Sequence, residues 1–264
     1  MLVDQVSAII REVGAVEVVP RFRSLAEGDV MEKGPGDLVT VADQECERVL
    51  TDRLRFVRDI PVVGEEATAA DPALLDVVAT ADATWIIDPI DGTSNFVAGN
   101  SNFVVMVALV EKGVTTAAWV WHPETDTMLT AQLGQGFQRN GVTAMAAPRA
   151  GTPKGILKRR YMPEPALTRL ATFPESVGSL VTDFKSAGIE YGALIDGRID
   201  FLMYWRTLPW DHAPGGLLAS EAGLRVARFD GSAYRPGDGH RGLLAATDST
   251  WDVIASQIRI ALTD

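Results

Sequence analysis

Apolar residues at Leu2, Val6, Ile9, Ile10 and Val13 recur at three- and four-residue spacing. That period predicts a long amphipathic helix at the start of the chain, ended or kinked at Pro20. A loop over Lys33-Gly34-Pro35-Gly36 leads through Asp37–Asp43 into a second helix, about residues 41 to 56, with Val49, Leu50 and Leu54 on its apolar side. Ile60–Val63 reads as a short strand ending at Gly64-Glu65-Glu66, and the Ala- and Asp-rich residues 67–82 as loop and short helix. Trp85-Ile86-Ile87 predicts a buried strand that Pro89, which has no N–H for a ladder, should stop. Phe103–Glu111 and Thr115–Trp121 form two further strands about the Lys112-Gly113 turn, and Met128–Gln132 with Gly136–Asn140 a hairpin.

Composition shifts near residues 146 to 155, and the pattern then alternates. Strands are expected at Gly155–Lys158, Ile199–Tyr204, Leu224–Ala227 and Gly242–Ala246. Helices are expected at Glu164–Ala171, Ser186–Gly197, Pro214–Ala222 (stopped by Gly223) and Trp251–Leu262. The expected fold class is α+β, with an antiparallel-sheet half over residues 1–146 and an α/β half over residues 147–264.

The chemistry concentrates in Trp85-Ile86-Ile87-Asp88-Pro89-Ile90-Asp91-Gly92-Thr93-Ser94-Asn95-Phe96. Two carboxylates at a sharp turn can converge on a hard divalent cation, which takes oxygen ligands. Gly92 permits close approach of backbone, and Thr93, Ser94 and Asn95 are N-cap residues expected to open a helix, so an anion pocket follows directly. A bare Asp-x-x-Asp-Gly also suits a capped turn with solvated aspartates. The longer string, Gly64-Glu65-Glu66 and Trp210-Asp211-His212-Ala213-Pro214-Gly215 together favour a metal and phosphate site.

A net charge of −11 disfavours nucleic acid or an anionic membrane as partner, and it favours bound metal if the substrate is itself anionic. The single cysteine, Cys46, excludes an internal disulfide framework and suits a reducing cytoplasm. No signal-peptide pattern and no apolar run long enough for a membrane span are read from the sequence. Neither a phosphate-binding G-x-x-x-x-G-K-[ST] loop nor a convincing G-x-G-x-x-G is present, since Gly134-Gln135-Gly136 leads into a strand.

The strings Asp37-Leu38-Val39-Thr40-Val41-Ala42-Asp43, Gly64-Glu65-Glu66, Asp88–Phe96 and Trp210-Asp211 with Gly215 resemble the inositol monophosphatase family, in the superfamily of fructose-1,6-bisphosphatases and bisphosphate nucleotidases. The resemblance spans most of the chain in the family's order. It implies a layered α-β-α-β-α sandwich, a cytoplasmic homodimer, and Mg²⁺-dependent, lithium-sensitive hydrolysis of a small phosphorylated metabolite with two or three ions. Glu65, Asp88 and the Ile90 carbonyl would hold one Mg²⁺, and Asp88, Asp91 and Asp211 a second. Gly92, Thr93 and Ser94 would bind phosphate. Asp43, Thr93 and Glu65 would serve catalysis by orienting and deprotonating water. Lys33 lies where the family often has a basic residue near the metals.

Two positions depart from the family. Tyr204 stands seven residues before Asp211, where inositol-specific members carry a glutamate, and Lys185 stands where glycine is common. With Ser186 and Ala187 these are the expected substrate contacts. Inositol-1-phosphate is the default substrate. Histidinol phosphate, fructose-1,6-bisphosphate, 3′-phosphoadenosine nucleotides and a non-catalytic binding role remain open alternatives.

Overall fold

A computed structural model describes residues 2–34, 36–171 and 177–263. In chain order the elements are α1 (Leu2–Glu17), β1 (Val30–Gly34), β2 (Asp37–Thr40), α2 (Val41–Val57), β3 (Val62–Gly64), α3 (Glu65–Ala70), α4 (Leu74–Thr80), β4 (Ala83–Asp91) and α5 (Thr93–Val97). There follow β5 (Val104–Glu111), β6 (Val114–His122), β7 (Thr127–Gln132), β8 (Gly136–Arg139), β9 (Val142–Ala144), β10 (Lys154–Lys158), α6 (Glu164–Arg169) and β11 (Ser179–Leu180). The chain closes with α7 (Ala187–Ile195), β12 (Phe201–Tyr204), α8 (Pro209–Glu221), β13 (Arg225–Ala227), β14 (Leu243–Ala246) and α9 (Asp248–Thr263).

Strands β3 to β9 form one sheet in sequence order, antiparallel except for the β3–β4 pair. A second, mixed sheet runs β11-β10-β12-β14-β13. Side chains alternate across each strand, so each sheet has two apolar faces to cover. On the outer face of the first sheet Trp85, Ile87, Val105, Val107 and Trp119 pack against Ile10 and Val13 of α1 and Cys46 and Leu50 of α2. On its inner face Val104, Met106 and Val120 meet Ile189 and Leu194 of α7 and Leu217 of α8. The same helices pack on Leu202 and Ala245 of the second sheet. The far face of that sheet, Phe201, Met203, Leu244 and Ala246, is covered by α6 and α9 through Ala166, Trp251 and Ile254. The fold is therefore the α+β sandwich of five layers that the resemblance implies. The buried indoles also find hydrogen-bond partners, as burial demands: Trp85 Nε1 donates to Arg58 O at 3.2 Å and Trp119 Nε1 to Val3 O at 3.1 Å.

Several boundaries differ from expectation. The loop read at Lys33-Gly34-Pro35-Gly36 is largely the end of a hairpin, β1 pairing β2 (Val30↔Thr40, Met31↔Val39); Pro35 lies outside the described residues. Its strands are short and their apolar residues fall in adjacent pairs, Val30-Met31 and Leu38-Val39, so no alternation marked them. Residues 67–82 hold most of two helices rather than one. The helix expected from Pro214 starts at Pro209, which takes the first-turn place where a missing N–H costs nothing. Pro214 sits inside it, buried between the sheets. Among the described residues no helix is long and apolar enough to cross a membrane.

Candidate metal and phosphate site

The strand β4 does not stop at Pro89. It continues to Asp91 with all nine residues buried, through a bulge: Asp88 pairs with Met106 and Asp91 with Val104, so three steps along β4 match two along β5. Proline is tolerated in a strand at such a bulge. The extra residue has a chemical consequence. In regular pleating, residues three apart point to opposite faces. The bulge cancels that offset and brings Asp88 and Asp91 to one side. Cys46, in the α2 layer beneath, points its Sγ at Pro89 O, 3.7 Å away.

Asp211 arrives from the other half of the chain. Its neighbour Trp210 is buried against Val63, Ile86, Ala108 and Val110 of the first sheet, which fixes the first turn of α8 over the end of β4. Asp211 is the third residue of α8; Leu208 occupies the N-cap place without a side-chain cap. Carboxylate oxygens of Asp88, Asp91 and Asp211 all lie within 4.8 Å of one another. Burial, followed by the charges of Glu65, Asp91 and Asp211, pushes the Asp88 carboxyl well above the usual range. Burial and then Asp91 do the same to Asp211. The buried Oδ1 of Asp88 has no hydrogen-bond partner among the described residues. An acceptor orphaned among carboxylates is a destabilising arrangement that a cation would relieve, so the donor set fits an oxygen-ligated divalent ion.

Asp91 is held differently. Ser186 Oγ and Gly188 N–H donate to its Oδ2, both at 2.7 Å, and Ala187 N–H to its Oδ1 at 3.0 Å. These are first-turn donors of α7, so the positive end of that helix points at the carboxylate. Ser186 and Ala187, expected at the substrate, line the cavity but direct these donors at Asp91 instead. Ser186 is also the N-cap of α7, accepting from Ile189 N–H at 3.3 Å.

Glu65 opens α3 beside this cluster. Lys33 Nζ donates to Glu65 Oε1 and to Glu66 Oε1, each at 2.9 Å. The α3 N-terminus is braced by Glu47, whose carboxylate accepts from Glu66 and Ala67 N–H, each at 2.8 Å. A Cβ at Gly64 would lie 2.2 Å from the Glu47 carboxyl carbon, so only glycine admits this contact.

Gly92 follows Asp91 with φ 96° and ψ 37°, left-handed, and is itself the N-cap of the short α5. The expectation that Thr93, Ser94 or Asn95 would cap the helix is corrected: they form its first turn. Asn95 and Phe96 N–H return to Gly92 O at 2.8 and 3.0 Å, leaving the N–H groups of Thr93 and Ser94 at the open end. Thr93 Oγ1 donates to Asp43 Oδ1 at 3.2 Å and to Ile90 O at 3.0 Å. Asp43 is fixed by a capping box at the start of α2, where its Oδ2 accepts from Thr40 N–H and Oγ1. Burial raises the Asp43 carboxyl to about 6.

A cavity of about 580 Å³ opens over Asp91, Asp211 and Ser94, and Lys185 and Tyr204 both line it. Tyr204 is not free there. Its hydroxyl donates to Glu190 Oε2 at 2.5 Å, and Lys158 Nζ lies 2.9 Å from Glu190 Oε1. The sequence reading missed Glu190, Lys158 and Gly188; an ionisable residue inside the apolar α7 was the available signal for the first. His212 is buried, with Nε2 3.1 Å from Arg206 O, and burial lowers its pKa to about 3, which keeps it a neutral packing residue.

The sequence profile of the Inositol monophosphatase family matches residues 4–262. The chain is 31% identical over 241 residues to the Nus factor SuhB of Escherichia coli (strain K12), covering 88% of this chain and 82% of that protein. It is 31% identical over 216 residues to the fructose-1,6-bisphosphatase/inositol-1-monophosphatase of Thermotoga maritima, covering 77% of each. The solved Thermotoga maritima IMPase superposes with a TM-score of 0.81 at 26% identity, over 99% of this chain and 98% of that one. A metal-compatible acid cluster, an adjoining open helix end and these likenesses agree, and the chain belongs to the Inositol monophosphatase family.

Proposed function

We propose that this chain is a Mg²⁺-dependent phosphomonoesterase of a small phosphorylated metabolite, with inositol-1-phosphate as the default substrate. The observation that carries the reading is the convergence of Asp88, Asp91 and Asp211 within 4.8 Å, beside the open N-terminal turn of Thr93 and Ser94. Ions would be held by Asp88, Asp91 and Asp211 on one side, and by Asp88, Glu65 and the Ile90 carbonyl on the other. Mg²⁺ bound there supplies neutralising charge for the phosphoryl group and leaving oxygen, and makes a coordinated water more acidic.

The remaining work falls to the chain. Backbone N–H groups of Gly92, Thr93 and Ser94 bind phosphate oxygens where the α5 dipole favours negative charge. Asp43, locked by Thr40, orients the Thr93 hydroxyl. Thr93 and Glu65 then orient the attacking water, and Glu65 accepts its proton. Direct attack of water needs no covalent phosphoenzyme. The same reading makes the protein a Li⁺-sensitive homodimer of the cytoplasm.

The test is phosphate release from a panel (inositol-1-phosphate, histidinol phosphate, fructose-1,6-bisphosphate, adenosine 3′,5′-bisphosphate, glycerol-2-phosphate) with Mg²⁺ and with EDTA. Release that requires Mg²⁺ is expected; none on any substrate, with Mg²⁺ still bound, would sink the catalytic reading. A second reading, a binding protein on the same scaffold, draws on the 31% identity to a protein named Nus factor SuhB. It predicts that last outcome.

A further inference from the structure

We propose that the substrate carries a second anionic group beyond the phosphate that is cleaved, which sets it apart from the default inositol-1-phosphate, and that Lys185 and Arg206 recognise it. The inference rests on the phosphatase reading for which phosphate is cleaved, but its evidence is the charge lining the cavity.

Lys158, Arg159, Arg160, Lys185 and Arg206 all line one cavity of about 580 Å³, in a chain whose net charge is −11. The acids of the same wall are already committed. Asp91 and Asp211 belong to the cation cluster, and Asp183 and Glu190 both pair with Lys158, at 3.0 and 2.9 Å. That leaves Arg159, Arg160, Lys185 and Arg206, none of which forms an ion pair with a carboxylate among the described residues. The phosphate that reacts has its own partners in the metal cluster and the first turn of α5. The surplus positive charge therefore answers to something else in the ligand.

Lys185, Arg160 and Arg206 are exposed where they line the cavity, so their charges are open to a ligand, and two local features constrain them. Lys185 has φ 56° and Tyr161 φ 70°, two of the few non-glycine residues of this chain in the left-handed region, and both line this cavity. A backbone that glycine adopts freely is here imposed on a lysine. The Lys185 carbonyl lies 3.4 Å from a Cβ built on Gly92, so the residue sits directly over the phosphate turn. Opposite, the Arg160 and Arg206 guanidinium carbons each lie 4.9 Å from the Tyr161 ring centroid, so one aromatic ring positions two cations. The cavity volume suits a metabolite rather than a polymer. A phosphate or a carboxylate would serve as the second anion, since both accept charge-assisted hydrogen bonds from lysine and arginine.

The experiment compares matched ligands that differ by one anionic group. The pairs are fructose 1-phosphate with fructose 1,6-bisphosphate, adenosine 3′-phosphate with adenosine 3′,5′-bisphosphate, and glycerol 2-phosphate with 2-phosphoglycerate. For each pair the ratio of kcat/KM is measured with Mg²⁺, and the ratio of Kd by calorimetry with Ca²⁺ in its place. We expect at least one pair to favour the doubly anionic member by about tenfold, the scale of one charge-assisted contact. That ratio should fall by about the same factor in Lys185→Gly, which relaxes the backbone, and in Arg206→Gln. The sugar and nucleotide pairs against the glycerate pair tell a phosphate from a carboxylate. Turnover with every pair within threefold overturns the inference, as does a preference that survives both substitutions. Absence of turnover together with a Ca²⁺-dependent binding preference lost in the variants would refute the phosphatase reading and leave the second-anion site standing. Absence of both would overturn the two together.

Discussion

Replacing Asp91 by asparagine separates what the acid cluster does for the metal from what it does for the fold. Asp91 lies within 4.8 Å of Asp88 and Asp211. At an effective dielectric near 20, each such pair of ionised groups repels by about 3 kcal/mol. Without metal the native state relieves this by retaining protons, as the raised carboxyls of Asp88 and Asp91 indicate. Asparagine removes the repulsion. It keeps one acceptor oxygen, which can replace Oδ2 and serve Ser186 Oγ and Gly188 N–H, but its amide then faces Ala187 N–H. The loss is one charge-assisted hydrogen bond, about 1.5–3 kcal/mol. Two such pairs outweigh one hydrogen bond while the acids are ionised, and protonation shrinks that gain towards zero, so in EDTA the variant should lose at most about 1.5–3 kcal/mol relative to the wild type. With Mg²⁺ the proteins should diverge. Ligand binding to the native state alone stabilises by about 2.7 kcal/mol at a concentration a hundredfold over Kd, and the variant should lose most of that gain together with turnover. Thermal denaturation with EDTA and with Mg²⁺, alongside phosphate release, checks both. A Mg²⁺-dependent rise in Tm equal to the wild type's would refute the assignment of Asp91 to the metal. A loss of stability in EDTA beyond about 3 kcal/mol would refute the accounting of its hydrogen bonds.

Thr93→Ala should lower kcat by roughly a hundredfold or more while changing the Mg²⁺ Kd little, because it removes a water-orienting hydroxyl and no ligand; calorimetry and steady-state kinetics separate the two. Gly64→Ala places a methyl 2.2 Å from the Glu47 carboxyl carbon. Displacing Glu47 from the N–H groups of Glu66 and Ala67 should cost about 2–4 kcal/mol in urea denaturation and weaken Mg²⁺ binding through Glu65. Finally, metal-free stability should fall as pH rises from about 4 to 7. Burial raises Asp43 to about 6 and, with the Glu65 charge, Glu66 to about 7. In that window the native chain therefore holds protons that the unfolded chain has released, and the slope of stability against pH is negative. A Tm in EDTA that climbs over this range would contradict it.

Much of the fold was legible because each sheet face demands its own apolar set. The continuous apolar run of Phe103–Glu111 and its return over Thr115–Trp121 about the Lys112-Gly113 turn marked strands, and the three- and four-residue period of the first helix marked α1. What failed to show was irregular. The β1–β2 hairpin carries no alternation. The bulge at Pro89 looks in sequence like a strand end, because the signal that excludes proline from a ladder cannot tell termination from an extra residue. The start of α8 was misplaced for a related reason: two prolines, Pro209 and Pro214, each suit a first turn, and only the packing of Trp210 on the first sheet decides between them.

The candidate site divides along the same line. Its acidic members were legible as local strings, since the turn chemistry around Asp88 and Asp91 is written in consecutive residues. The residues that aim those acids were not, because they come from elsewhere in the chain. Asp91 is oriented by the N-terminus of α7, some 95 residues away, through Ser186. Tyr204 illustrates the cost of reading a position alone. By comparison with a glutamate it reads as a lost carboxylate, and a Tyr204→Glu change as its restoration. In the fold a carboxylate is already present: Glu190 reaches the Tyr204 hydroxyl from α7 and is neutralised by Lys158. A glutamate at 204 would place two buried carboxylates together with one lysine between them, which raises a pKa or costs stability before it touches any substrate. Tyr204 therefore has to be read together with Glu190 and Lys158, a grouping that only the packing of α7 on β12 makes visible.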